Sequence, residues 1–142
     1  MQADAVAVAG ALLLTIIIPT PMQGTLGAHG LGMKVAVGGG LLAEILMTFG
    51  LVSAVFATTS AGARAASPGV VVIGLTVIVG HLFGVPLTGG SMNPARSFGP
   101  ALVASVWTDH WIFWVGPLVG GAVAAFVYEF FVSDEEGTGR SD

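Results

Sequence analysis

The sequence predicts an all-α integral membrane protein, and three features of its composition support this fold class. Hydrophobic residues fill 54% of the 142 positions and charged residues only 8%, whereas about a quarter of a soluble domain is charged. The mean hydropathy is +0.91. Long apolar runs recur along the chain, and its 22 glycines suit closely packed membrane helices. Such a chain has too few charged side chains to cover a soluble globule, so a lipid bilayer is its expected surrounding.

Composition also excludes several classes of site. The chain has no cysteine, which rules out disulfides and thiolate metal sites. No cluster of basic residues suggests a nucleic-acid partner. We therefore predict no metal, no cofactor and no nucleic acid, with the lipid bilayer as the main partner.

The first half of the predicted transmembrane domain, residues 1–132, contains three helices. Residues 5–18 form a short apolar helix ending before Pro19, below the roughly 20 residues that a full span needs. After a glycine- and proline-containing loop, residues 41–59 are long enough to cross the bilayer. Residues 68–84 form the next span, beginning at a proline that suits a first helical turn.

The second half contains a short helix, a final span and a tail. Residues 93–104 predict a helix of about 18 Å, roughly half of the hydrocarbon core. Residues 111–132 predict the last span, and residues 133–142 an acidic disordered tail.

The stretch at residues 88–102, TGGSMNPARSFGPAL, is unusually polar for a segment between two spans. Irregular backbone and an arginine are tolerated within a bilayer only when buried in protein or lining a water-filled path. Asn93 caps the following helix and Pro94 takes its first position. The positive helix end and Arg96 oppose cations, while the Asn93 amide can donate to water. An ordinary interhelical loop followed by a capped helix is the alternative.

Residues 80–102, GHLFGVPLTGGSMNPARSFGPAL, closely resemble the second Asn-Pro-Ala region of the aquaporin (major intrinsic protein) family. The resemblance extends from about residue 41 to residue 128. It implies a right-handed bundle of two inverted repeats, each with three spans and a re-entrant half-helix. This chain matches the second repeat, namely helices 4, 5 and 6, the half-helix and the end of helix 3.

The resemblance also implies roles for individual residues. The pore signature consists of Asn93, Pro94 and Ala95. The selectivity constriction consists of His81, Gly90 and Arg96. Many water-selective members have a cysteine at the position of Gly90, so a slightly wider pore is implied.

Four further positions resemble water channels rather than glycerol channels: Ser97, Ala101, Phe113 and Trp114. His81, where glycerol facilitators have a small residue, narrows the aperture in the same sense. We therefore expect a passive channel for water, with other small neutral solutes as alternative permeants.

Glu44 lies within the first long span, where an acid is costly and usually has an internal partner. The resemblance implies that it accepts hydrogen bonds from the backbone of the re-entrant loop. The alternative is that its side chain reaches the membrane interface.

One departure from the family pattern concerns the other half of the pore. Asn93 is the only asparagine in the chain, so no other Asn-Pro-Ala motif occurs in it. We expect a truncated C-terminal half that conducts poorly alone; a non-conducting membrane fragment or interaction protein is the alternative. An enzyme is not expected, because no nucleophile motif, paired carboxylates or metal-ligand spacing occurs.

The remaining expectations concern assembly and residues outside the pore. The family resemblance implies a homo-tetramer. A cell-membrane location is expected, and Arg64 and Arg140 against Lys34 favour a cytoplasmic C-terminus. His29 and His110 are interpreted as loop or interface residues without a metal.

Overall fold

The computed structural model describes residues 2–59 and 68–131, and within these ranges the protein is all-α. The elements in chain order are α1 (Gln2–Ile17), a 3₁₀ turn (Thr20–Met22), α2 (Val37–Thr59), α3 (Gly69–Thr88), α4 (Pro94–Ala104) and α5 (Ile112–Phe131). No strand occurs in the described ranges. The predicted acidic tail, residues 133–142, lies outside them.

Three helices have the length and composition of membrane spans. Helices α2, α3 and α5 have 23, 20 and 20 residues, and a 20-residue helix is about 30 Å long, the thickness of a hydrocarbon core. α1 is apolar but has only 16 residues. The outward faces of the spans carry exposed large apolar side chains, such as Val70, Leu82 and Phe126, which is the pattern expected of a surface facing lipid.

The helix bounds differ from the predicted ones mainly at the end of α3 and at the start of α2. This helix continues through Pro86 to Thr88, whereas the sequence predicts an end at residue 84. Gly89 ends it with a φ of +88° and an N–H that donates to Val85 O at 3.2 Å, because glycine adopts the left-handed conformation without steric cost. α2 begins at Val37 rather than at residue 41, and α1 runs from Gln2 to Ile17 rather than over residues 5–18.

The largest helix interfaces are those of α2 with α3 and α5 and of α1 with α4, and α4 also contacts α5. A Cβ added at Gly120 of α5 would lie 2.3 Å from Ile45 O of α2, and one added at Gly99 of α4 would lie 2.6 Å from Cβ of Ala7. Both interfaces therefore depend on a backbone approach that a larger residue would prevent.

Candidate functional site

Asn93 organises the start of α4. Its Oδ1 accepts hydrogen bonds from the backbone N–H of Ala95 at 2.9 Å and of Arg96 at 3.4 Å, and Pro94 occupies the first helical position. Two of the free N–H groups of the helix end are thereby satisfied. The exposed Asn93 amide N–H₂ has no acceptor among residues 2–59 and 68–131, so this side chain presents a donor to whatever fills the space beside it.

The three residues predicted to form a constriction are in contact. Nη1 of Arg96 donates to Gly90 O at 2.6 Å and lies 2.9 Å from Nε2 of His81. Since a guanidinium can only donate, Nε2 of His81 must accept, and its Nδ1–H donates to Val77 O at 2.8 Å. The geometry therefore assigns His81 the neutral tautomer with the proton on Nδ1.

Two open clefts lie on either side of Asn93 and Arg96. One, of about 460 Å³, is lined by these two residues with Ala95 and the N-terminal part of α1. The other, of about 300 Å³, is lined by them with His81, Ser91, Met92, Leu51 and Val77. Asn93 and Arg96 thus form a polar edge shared by both clefts.

Glu44 holds the irregular backbone that precedes Asn93. Its Oε1 accepts from Thr88 Oγ1 at 2.6 Å and from the N–H of Ser91 at 3.0 Å, and its Oε2 accepts from the N–H of Met92 at 2.8 Å. The residue is 0% exposed, so its carboxylate does not reach the interface. Without these acceptors, each buried N–H would cost several kcal/mol in a membrane.

The four positions that resemble water channels lie behind the clefts rather than in them. Ser97, Ala101 and Phe113 are buried, at 0%, 1% and 0% exposure, so a long basic side chain does not fit at Ala101. Trp114 lies edge-on to Phe98, with ring centroids 6.2 Å apart. These residues shape the packing of α4.

Sequence reasoning did not predict the burial of His29. The residue lies in a loop, as predicted, but it is only 6% exposed and its Nδ1 lies 3.0 Å from Ser97 Oγ. Burial, and to a smaller extent the charge of Arg96, lowers the pKa of His29 from 6.5 to about 4. A single histidine in a glycine-rich segment has no periodic pattern that would have indicated its burial.

The described residues do not form a metal site. No group of three or more His, Cys, Asp or Glu side chains that could hold an ion occurs within residues 2–59 and 68–131. His110 is buried beside Trp107 and Phe113, and burial lowers its pKa.

Comparisons with known proteins agree on the family. A sequence profile described as Major intrinsic protein matches residues 4–128. Aquaporin-4 of Bos taurus is 41% identical over 132 residues, covering 92% of this chain and 41% of that protein. Aquaporin TIP4-4 of Zea mays is 52% identical over 102 residues, covering 71% of this chain and 40% of that protein. The chain thus spans about two fifths of the length of these curated relatives.

A solved structure supports the fold. The X-ray structure of the aquaglyceroporin from Plasmodium falciparum superposes with a TM-score of 0.76 at 17% identity, covering 93% of this chain and 62% of that one. At this identity the likeness concerns the fold alone. It confirms the predicted all-α membrane-protein fold class. The profile match and the identity to these relatives show that the chain belongs to the major intrinsic protein (aquaporin) family.

Proposed function

We propose that this chain forms the second half of a pore that conducts water and excludes ions. The observation that carries the proposal is the contact of Arg96 with His81 and Gly90 beside the unpaired amide N–H₂ of Asn93. These groups come from α3, the following turn and α4, and they offer fixed donors at one edge of an open path.

The donors favour a neutral permeant with an oxygen acceptor. A water molecule that accepts a hydrogen bond from Asn93 has both of its own hydrogens directed away from the helix end. That orientation interrupts the chain of hydrogen bonds along which a proton would move. The partial positive charge of the α4 N-terminus and the full charge of Arg96 raise the energy of any cation at the same place.

The fixed position of the His81 ring supports water rather than glycerol as the permeant. The imidazole of His81 is held from both sides, by Val77 O and by Arg96, and so cannot swing away from the path without losing a hydrogen bond. Gly90 contributes only its carbonyl, which binds Arg96.

We propose further that the 142-residue chain conducts poorly alone. Asn93 and Arg96 are exposed, and both clefts that they line are open at the side. A continuous water path needs walls on all sides, with a second donor group facing Asn93. A first repeat with its own Asn-Pro-Ala half-helix is the partner that supplies both.

The assembly that we propose is a homo-tetramer in the cell membrane with a cytoplasmic C-terminus. The family resemblance supports the tetramer. The distribution of basic residues supports the orientation. Arg64 and Arg140 are predicted on the same side of the membrane as the C-terminus and Lys34 on the other side, and cytoplasmic segments carry an excess of basic residues.

Substitutions at the constriction test the function. The chain is joined to the first repeat of Bos taurus Aquaporin-4 and reconstituted in liposomes, and water, glycerol and proton fluxes are measured by stopped-flow. His81→Ala should admit glycerol and Arg96→Ala should admit protons. Leu82→Ala is the matched control, because Leu82 is the next residue on α3 and is 76% exposed toward lipid.

Two results would contradict the proposal. Glycerol and proton exclusion that is unchanged in both constriction variants would show that these residues do not form the filter. Absence of water flux in the joined wild-type protein would favour a membrane protein that associates with others without conducting.

A further inference from the structure

His29 lies in the segment between the 3₁₀ turn and α2, yet its ring is enclosed beneath the start of α4. Its Cδ2 lies against Gly89, where an added Cβ would be only 2.9 Å away, and its ring centroid is 5.6 Å from that of Phe113. A buried imidazole in such a narrow space needs a hydrogen-bond partner. That partner is Ser97, on the first turn of α4.

The hydrogen bonds continue from Ser97 to the signature asparagine. The hydroxyls of Ser97 and Ser91 are in a short hydrogen bond. Ser91 Oγ donates to Asn93 O at 3.0 Å and accepts from the N–H of Asn93 at 3.3 Å. The path His29–Ser97–Ser91–Asn93 is called the serine relay below.

The chemistry of the acceptors fixes the direction of the serine relay. The main-chain carbonyl oxygen of Asn93 can only accept a hydrogen bond, so the Ser91 hydroxyl hydrogen points to it. The Ser97 hydroxyl hydrogen must then point to Ser91, which leaves Ser97 Oγ as an acceptor for His29. His29 therefore carries its proton on Nδ1.

We propose that His29 is a positioning residue for permeation, acting as an Nδ1–H donor that orders the serine relay and thereby fixes the Asn93 amide toward the water path. The proposal rests on the proposed function only in taking water as the permeant that Asn93 orients. His29 touches neither cleft; it acts through the two serines.

The surroundings of His29 keep this donor uncharged. Burial lowers its pKa most, and the positive charge of Arg96 on α4 lowers it further. A neutral ring has only one N–H to donate, so its position at Nδ1 is a specific requirement of the serine relay.

A single-residue probe makes the proposal testable on the 142-residue chain in lipid bilayers. Asn93 is the only asparagine, so ¹⁵N-asparagine labelling gives one side-chain amide signal in solid-state NMR. His29→Leu should lower the order of that amide, and Ser97→Ala should do the same. The double variant should show no further loss, because both changes interrupt one path.

His110→Leu is the matched control. His110 is also buried and packs on the same Phe113 ring, with centroids 6.0 Å apart, but it is not part of the serine relay. Its replacement should leave the Asn93 amide unchanged. An equal loss of order in His110→Leu and His29→Leu would mean that packing alone holds Asn93, and would overturn the proposal.

The tautomer is measured in the same samples and gives an independent result. ¹⁵N-histidine labelling should show His29 protonated at Nδ1 and unprotonated at Nε2, with the signal identified by its loss in His29→Leu. The opposite tautomer would overturn the direction of the serine relay. If His29→Leu does not fold, Ser97→Ala and the tautomer of the wild-type chain still decide the proposal.

Rescue in the joined, conducting protein separates this proposal from the proposed function. His29→Leu should lower water permeability about fivefold, the factor that corresponds to one net hydrogen bond, while His29→Asn, whose amide nitrogen occupies nearly the place of Nδ1, should restore it. Equal permeability of the leucine and asparagine variants would overturn the positioning role. If the joined wild-type protein shows no water flux, the proposed function is contradicted. The two NMR experiments on the 142-residue chain would then still test the serine relay.

Discussion

Glu44 and His29 hold the same re-entrant segment from two sides by opposite chemistry. Glu44, on α2, is a fully buried carboxylate that accepts three hydrogen bonds from residues 88–92. His29, in the segment before α2, is a neutral imidazole whose donated hydrogen bond leads through two serines to Asn93. The turn before the half-helix is thus fixed by a charge, and the start of the half-helix by a chain of neutral groups.

The contrast between Glu44 and His29 shows two ways in which irregular backbone is stabilised in a membrane protein. Residues 89–93 form no helix, so their N–H groups need side-chain acceptors instead of a ladder. A carboxylate supplies several strong acceptors at once, since hydrogen bonds to charged groups are about twice as strong as neutral ones. The cleft edge carries the positive charge of Arg96, and a neutral histidine can order it without adding another charge.

Removing the carboxylate should have the largest effect on stability. Glu44→Ala leaves two backbone N–H groups and one hydroxyl without their acceptor, and we expect a loss of about 3 kcal/mol or more. The measurement is unfolding in detergent micelles, with Leu46→Ala as control because Leu46 lies on the same helix and is 52% exposed. Equal stability of the two variants would contradict the importance given to Glu44.

Lowering the pH should destabilise the protein through His29. The folded-state pKa of His29 is about 4 against 6.5 for the ordinary group, so the unfolded chain binds more protons between these values and stability falls as pH is lowered through this window. The loss approaches about 3 kcal/mol near pH 4. His29→Asn keeps the donor but does not titrate, so its stability should depend less on pH. The same pH dependence in both proteins would refute the assignment to His29.

The smallest expected effect on stability comes from a comparison of two buried threonines, Thr88 and Thr48. Thr88→Val removes a donor to Glu44 and the acceptor of the Gly90 N–H, and we expect a loss of about 1–2 kcal/mol. Thr48 is also buried, but its hydroxyl has no hydrogen-bond partner among the described residues, 2–59 and 68–131. Thr48→Val should therefore be neutral or stabilising. The reverse order, measured by unfolding in micelles, would show that the contacts of Glu44 do not decide the stability of the turn.

Local signals explain what the sequence predicted. The cap of α4 follows from Asn93 and Pro94 alone, because capping depends on neighbouring residues. The three spans follow from the length of their apolar runs. Glu44 could be singled out because an acid within an apolar helix needs an internal partner.

Contacts between residues far apart in the sequence explain what the sequence analysis did not predict. The bond between His29 and Ser97 joins positions 68 residues apart, and no local pattern records it. The later end of α3 is a miss of another kind, because the local residue Gly89 ends the helix at Thr88 rather than at the predicted residue 84. The constriction residues were predicted from the family resemblance, and their role in selectivity stays a prediction.

The water permeability of liposomes tests whether this chain provides half of a water pore. Stopped-flow measurements compare the 142-residue chain alone with the same chain joined to the first repeat of Bos taurus Aquaporin-4. We expect permeability near that of protein-free liposomes for the chain alone and fast, glycerol-excluding water flux for the joined protein. Fast water flux through the chain alone, or none through the joined protein, would contradict this expectation.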